Sequence, residues 1–482
     1  MKTGSIRIFC LLMFLCGAVL ADNNPPWQQP GEWPDRIVAT LASAPAISFS
    51  VNWRTAAAVT STAAEIAPAR AATRFDRAAV QIPAISEGFE FDPAWLAGKR
   101  HGEGDELLIE PVAYHSVTFT GLEPDTLYAY RVQGAEGKWS AWRQLRTAPV
   151  AGPVEFLYFG DSQNGIRSHI SRLFDAASLV SPGARFILHA GDLVNSGLND
   201  REWAEWFEAG GSLFGRVPSI PVPGNHDHGS GGKYGLTPYW RVQFNLPVEA
   251  SLPEPLHEAV YAMHYTPDLH LFAIDSTGPA FGEQLKWLDK QFQDSNARWR
   301  IVYMHHPFFS WVGEGIEKPE QTIRRAQLDE FLSRHDVDLV LTGHRHSYQR
   351  AEGGPGVHDQ DKRQPYGVST VFLVTASTIK RGTTKVAGWE RFSQEREGNI
   401  SLTRWGDDIP LFGLIRVDGT ELTFRAIDAT GQAYDAFTLR KQPDGSKVIE
   451  NGKEAFGPVA NLQKGAEEYH EGSPEKTKTE HP

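Results

Sequence analysis

Five short segments carry the side chains with the greatest capacity for chemistry. They are Gly160-Asp161-Ser162-Gln163, Gly191-Asp192-Leu193-Val194-Asn195, Gly224-Asn225-His226-Asp227, Val302-Tyr303-Met304-His305-His306 and Gly343-His344-Arg345-His346. Each supplies a carboxylate, carboxamide or imidazole, the donor types that hold hard and borderline metal ions. Glycine lets the chain turn sharply, so the next polar residue can project into a shared crevice. Taken singly, Asp161 reads as a turn former, Asn225 as an Asx-turn residue and His305 as a core histidine. Taken together and in this order, the five point to a dinuclear metal site. Two ions about 4 Å apart, bridged by one carboxylate and a water-derived hydroxide, supply a nucleophile near neutral pH and neutralise phosphate oxygens. Asp192 is the candidate bridging carboxylate. His189 and His264 sit in apolar strand patterns without such a loop and read as structural.

The elements that must position these loops are legible in the same stretch. Apolar runs at 154–159, 186–190, 220–223, 301–304 and 339–342 each end near one of the five segments, and 166–179, 201–208, 283–292 and 322–334 are amphipathic. Strands alternating with helices predict an α/β domain over 153–440 with a largely parallel, buried sheet. Its site is expected at the carboxyl ends of the strands. Ahead of it, 34–148 reads as short alternating β segments such as 47–53 and 122–132, which predicts a β-sandwich. The Ala-rich piece from Ala56 to Ala79 is expected to be an inserted loop, and 441–482, polar and poor in apolar residues, a flexible tail.

Lys2 and Arg7 precede an apolar stretch that gives way to small residues ending at Ala21, which is the grammar of a secretory signal over 1–21. The stretch is shorter than the ~20 apolar residues a membrane anchor needs. Both cysteines, Cys10 and Cys16, fall inside it, so the mature chain is expected to carry neither disulfides nor thiolate ligands. Secretion, to the periplasm or the exterior, follows as an expectation. With 47 Lys and Arg against 59 Asp and Glu, the formal charge is −12. That charge argues against nucleic acid or an anionic membrane as a general partner.

Trp53, the corner Gly121-Leu122-x-Pro124-x-Thr126-x-Tyr128 and the final Leu145-Arg146-Thr147 make the N-terminal segment resemble a fibronectin type III module. The segment from Pro153 resembles the calcineurin-like metallophosphoesterases, and the sandwich in front of it makes the whole similar to the purple acid phosphatase branch. The resemblance implies a four-layer αββα catalytic sandwich. It implies a first metal held by Asp161, Asp192 and His346, and a second held by Asp192, Asn225, His305 and His344. His226 would lie beside the substrate phosphate, as transition-state stabiliser or proton donor. Asp227 would either orient that imidazole or be a solvated turn carboxylate.

Two positions depart from the family pattern. Asn195 stands where the purple enzymes have the tyrosine whose phenolate colours ferric iron, and Gln163 stands where the other large branch has a histidine ligand. An amide oxygen of Gln163 or Asn195, or water, must then complete the first metal's shell, and the protein is expected to be colourless. The histidines that relatives carry about nine residues beyond the His305 equivalent are absent, since Glu314 and Gly315 occupy that region. His228, Tyr234, Trp311, Tyr348 and Arg350 are candidates for lining a substrate pocket.

The reading that follows is a secreted phosphomonoesterase with two metal ions, of iron, zinc or manganese, acting on a phosphate ester. A phosphodiesterase or nucleotide hydrolase at the same metals is the near alternative. A non-catalytic surface-binding protein with a degenerate first site is the distant one.

Overall fold

The computed structural model describes residues 29–92, 110–228, 235–307, 309, 319–380 and 382–459. The expected signal over 1–21 lies outside them. In the first segment β1 (Asp35–Leu41), β2 (Phe49–Ala56), β3 (Ala63–Pro68), β4 (Val80–Pro83), β5 (Ile85–Phe89), β6 (Val112–Phe119), β7 (Leu127–Val132) and β8 (Arg143–Arg146) form the expected sandwich. One sheet has the order β4-β3-β7-β8 and faces β1-β2-β6-β5. Phe49, Val51, Trp53, Ile66, Phe119 and Tyr130 fill the space between them. At the corner, the Tyr128 hydroxyl accepts from the Glu123 N–H at 2.9 Å.

The Ala-rich stretch is not one inserted loop. β3 runs through its middle and pairs with both β4 and β7. Ala64 and Ile66 point into the core, and small side chains satisfy an inward pleat position as well as a turn does.

The second segment comprises β9 (Val154–Phe159), α1 (Ser171–Val180), β10 (Ile187–Ala190), α2 (Asp200–Gly210), β11 (Ser219–Val222), α3 (Tyr239–Gln243), β12 (Tyr261–Thr266) and β13 (Leu269–Ile274). It continues through α4 (Phe281–Asp294), β14 (Trp299–Met304), α5 (Pro319–Arg334), β15 (Leu339–Thr342), β16 (Ser347–Gly353), β17 (Tyr366–Val368) and β18 (Thr370–Val374). It ends with α6 (Val386–Glu395), β19 (Ile400–Asp407), β20 (Phe412–Asp418), β21 (Glu421–Ile427), β22 (Ala433–Lys441) and β23 (Lys447–Asn451). Among these helices none is long and apolar enough to cross a membrane.

Two sheets stack face to face with helices outside, the four-layer arrangement expected. The first has the order β17-β23-β22-β21-β20-β9-β10-β11, and the second β12-β13-β14-β15-β18-β16-β19. The continuous apolar runs are explained by burial on both faces of the second sheet. In β14, Trp299, Ile301 and Tyr303 enter the core between the sheets, while Val302 and Met304 enter the core beneath the helices, with Phe281, Leu288 and Trp389. Leu339 and Leu341 against Val340 repeat the alternation in β15.

The sandwich does not stand apart from the catalytic domain, because β1 pairs in parallel with β11 through Thr40 and Ser219. The first catalytic sheet therefore continues through β1, β2, β6 and β5 into twelve strands. The tail from 441 is also not wholly flexible. An Asp444-Gly445 turn, with Gly445 at φ 86°, returns the chain as β23 against β22 and β17. Ile449 is buried there, and Lys447 Nζ reaches Asp336 at 2.6 Å and Asp338 at 3.0 Å. Few apolar residues suffice when a hairpin partner already exists.

Candidate metal centre

All five segments converge at the carboxyl ends of β9, β10, β11, β14 and β15. Four of the candidate ligands leave their strands in the left-handed backbone region: Asp161 at φ 27°, Asp192 at 51°, His344 at 71° and His346 at 47°. Non-glycine residues adopt that region at a cost, and such residues cluster where surrounding structure enforces a functional geometry. The loops also approach closely. A Cβ on Gly224 would stand 2.1 Å from Asp192 Oδ1, and one on Gly191 2.7 Å from His305 Nδ1.

At the second-metal position, His305 Nε2 lies 3.1 Å from Asp192 Oδ2 and 3.0 Å from Asn225 Oδ1. His344 Nδ1 lies 2.9 Å from Asn225 Oδ1 and 3.2 Å from His305 Nε2. Ligands at about 2.1 Å in octahedral array are about 3.0 Å apart along each edge, so these spacings fit one ion. His305 donates its Nδ1 proton to the Ala190 carbonyl at 2.9 Å, which leaves Nε2 as a lone-pair donor for that ion. Burial pulls His305 down, but the Asp192 carboxylate outweighs it and raises the imidazole to about 9. Asp192 is pushed up by burial and, more strongly, down by His305 and His226. This buried pair demands a positive charge between its members, as a proton or a metal. His344, desolvated and facing His306 and His305, is held well below the usual histidine range, and so is neutral and able to ligate.

At the first-metal position, Asp161, Asp192 and His346 present ligand atoms within 4.8 Å of one another. Gln163 Nε2 stands 3.0 Å from His346 Nε2 and 3.1 Å from Asp192 Oδ2. Asp161 Oδ1 and Gln163 Oε1 are buried without a hydrogen-bond partner. Orphaned buried acceptors are costly, and a cation beside them removes the cost. Turning the Gln163 amide over puts its oxygen where the nitrogen stands, facing His346 and Asp192. The residues thus fit a first ion with Gln163 as an amide ligand. Asp192 Oδ2 faces both positions while Oδ1 accepts the His226 N–H at 2.8 Å, so Asp192 is the residue that would serve both ions.

Two expected site residues take other places. Asn195 is drawn toward the start of α2, where Glu202 accepts its N–H at 2.7 Å. Its carbonyl receives His226 Nδ1 at 2.6 Å. Among the described residues its side-chain amide makes no hydrogen bond to Gln163, Asp192 or His346. Asp227 is neither solvated nor the partner of His226. It is fully buried and accepts from the N–H groups of Gly224 at 2.8 Å and Leu193 at 3.2 Å. Burial, then the neighbouring Asp192, raises its carboxyl to about 7. It braces two metal-bearing loops, and a main-chain carbonyl orients the imidazole instead.

A sixth loop was not singled out from sequence. After β13, Ser276 Oγ accepts the main-chain N–H of His306 and is hydrogen-bonded to its Nδ1, each at 2.9 Å, which holds His306 in one group with His305 and His344. Asp275 holds His228 Nε2 at 2.8 Å. The available signal was an apolar run ending in Asp275-Ser276-Thr277-Gly278, the same grammar as the five. Of the pocket candidates, Tyr348 and Arg350 are buried on Asp435, and His228 is buried on Asp275. Tyr234, Trp311, Glu314 and Gly315 lie outside the described residues. His189 is enclosed by Phe159, Phe174, Trp206 and Phe214, a structural place, and His264 stacks on His270.

Residues 154–348 match the calcineurin-like phosphoesterase family, and residues 34–147 match the purple acid phosphatase N-terminal domain. An uncharacterized protein of Mycobacterium tuberculosis is 29% identical over 300 residues, which is 55% of each chain. The Fe(3+)-Zn(2+) purple acid phosphatase 12 of Arabidopsis thaliana is 27% identical over 258 residues, 49% of this chain and 52% of that one. The chain thus spans about half the length of these curated relatives. In fold it is similar to a purple acid phosphatase from yellow lupin (Lupinus luteus) seeds, with a TM-score of 0.64 at 16% identity over 89% of this chain and 78% of that one. It is also similar to PhoD, with a TM-score of 0.57 at 13% identity over 90% and 94%.

Proposed function

Since residues 154–348 match the calcineurin-like phosphoesterase family and residues 34–147 ahead of them match the purple acid phosphatase N-terminal domain, we propose that the chain is an exported, two-metal phosphomonoesterase. The observation that carries this reading is the convergence of lone-pair atoms from five strand ends on two adjacent points, with Asp192 Oδ2 facing both. Export rests on the leader grammar of residues 1–21.

Asp161, Gln163, Asp192 and His346 would hold one ion, and Asp192, Asn225, His305 and His344 the other. A bound pair supplies water activation and neutralises phosphate charge. The chain's own residues do the rest. The Ala190 carbonyl fixes the His305 tautomer, and Asp227 pins the Gly224 and Leu193 turns so that Asn225 and Asp192 keep their spacing. The Asn195 carbonyl accepts a hydrogen bond from His226 Nδ1, which holds the imidazole and leaves Nε2 as the atom that would pass a proton to the leaving oxygen. With the neutral Gln163 amide at the first position, and no tyrosine in that ligand group among the described residues, the protein is expected to show no visible charge-transfer band.

The test is elemental analysis of the purified mature protein, paired with hydrolysis of an aryl phosphate before and after chelation. About two metals per chain and chelator-sensitive turnover are expected, with Asp192→Asn lowering turnover more than about 100-fold in a folded protein. One metal or none, with no turnover after resupply of iron, zinc or manganese, overturns the reading. Faster cleavage of a bis-aryl than of a mono-aryl phosphate would move it to the diesterases.

A further inference from the structure

At the opposite end of the same strands, the sandwich and the catalytic domain enclose a cleft of about 360 Å³. Arg146 reaches it from β8, Arg185 from the turn before β10 and Arg216 from the turn before β11. Gln144 and Ser178 add polar groups, and no acidic residue lines it. In a chain of charge −12, the carboxylate that pairs with these guanidiniums among the described residues is Asp125, 3.0 Å from Arg185 and 3.7 Å from Arg146. Arg185 Nη1 is buried and makes no hydrogen bond despite that ion pair. Among the described residues no carboxylate pairs with Arg216, whose Nε donates to the Ser212 carbonyl at 3.2 Å. Glu155, just behind, is engaged by the Ser181 hydroxyl.

Fork-shaped guanidiniums match the oxygens of phosphate-type anions, and a cleft of several hundred Å³ accommodates a small ligand. Seven residues of extended chain, roughly 20 Å, separate Arg185 from Asp192, so the cleft is no extension of the metal centre. We propose that it is a second anion site, taking a phosphate-type oxyanion, free or carried on a small molecule, and that the bound anion ties the sandwich to the catalytic domain. A ligand that binds only the docked arrangement stabilises it by mass action, which gives the accessory domain a task beyond support.

Titration calorimetry of the metal-loaded mature chain with inorganic phosphate tests this. Two binding events are expected, with Asp192→Asn weakening the one at the metals. Arg216→Glu weakens the other by at least about tenfold, since it sets a like charge against the anion. Arg146→Glu, on the opposite wall, does the same and guards against a local effect of either variant. In the Asp192→Asn protein, glucose 6-phosphate binding more tightly than phosphate assigns the site to an organic ester, and equal binding assigns it to the free anion. A single event in the wild type that Asp192→Asn abolishes, or phosphate binding unmoved by both arginine variants, overturns the proposal. Absence of turnover in the metal-loaded wild type, with the second event intact, would fault the phosphatase reading instead.

Discussion

Gln163 and Asn195 are both carboxamides standing where relatives place stronger ligands, yet the structure separates them. Gln163 is buried between Asp192 and His346 with an orphaned oxygen, whereas Asn195 acts through its main chain. Replacing Gln163 with alanine should weaken the first metal by about 10- to 100-fold, the range seen when a supporting group of a metal site is lost. Asn195→Ala should leave both metals in place. Metal bound per chain after dialysis against graded chelator separates the two variants, and equal losses from both would refute the assignment. The identity of each of these residues was plain in the sequence. Their roles were not, because the pull of Glu202 on the Asn195 turn comes from tertiary packing at the start of α2. Asp227 makes the same point. Its carboxylate read as either the orienter of His226 or a solvated turn residue, and it is a fully enclosed brace.

At the scale of elements, the loop bearing His344 and His346 runs straight into β16, and β16 is anchored by a buried network. Arg350 Nε meets Asp435 of β22 at 2.8 Å and its Nη1 meets Glu352 at 2.9 Å, while the Tyr348 hydroxyl donates to Asp435 at 2.7 Å. The Tyr366 hydroxyl of β17 donates to Glu352 at 2.7 Å. These contacts join the second sheet to the first directly behind the metal loop. Removing one member strands a desolvated charge, so Asp435→Ala should cost about 3–5 kcal/mol, read as a lower denaturation midpoint. A shift no larger than that of an exposed substitution would show that the network relaxes. Strand existence was legible here from apolar runs, and the alternation of β14 and β15 between two cores explains why those runs are unbroken. Pairing across the sheets was not, because no local pattern tells Arg350 that its partner lies 85 residues further on.

At the scale of the molecule, the sandwich and the catalytic domain share one sheet and a buried charge cluster. Arg36 donates to Asp200 of α2 at 2.8 and 2.9 Å, and Arg54 bonds Asp35 at 2.7 Å and lies 3.7 Å from Asp200. The Tyr130 hydroxyl, from the sandwich core, donates to the Gly215 carbonyl at 2.6 Å. The two domains should therefore melt in one calorimetric transition. Asp200→Ala, which leaves two buried guanidiniums short of a partner, should lower that transition by an amount matching about 3–5 kcal/mol. Two resolved transitions in the wild type would refute the coupling. The same continuity turns the seam between domains into a cleft that either domain alone would lack.

By itself the sequence determined the domain order, the strand-loop grammar of five metal-bearing turns and the donor types within them. Those properties are local: glycine's backbone freedom, the apolar length of a strand and the chemistry of a side chain are carried by neighbours in the chain. Tertiary structure alone decided which oxygen of Asp192 faces both metal positions, that Asp227 braces instead of orienting, that Asp275 and Ser276 join the site, and that β1 and β23 extend the catalytic sheet. Each depends on burial and on partners from distant elements. Desolvation and pairing energies exist only once the chain has closed around them.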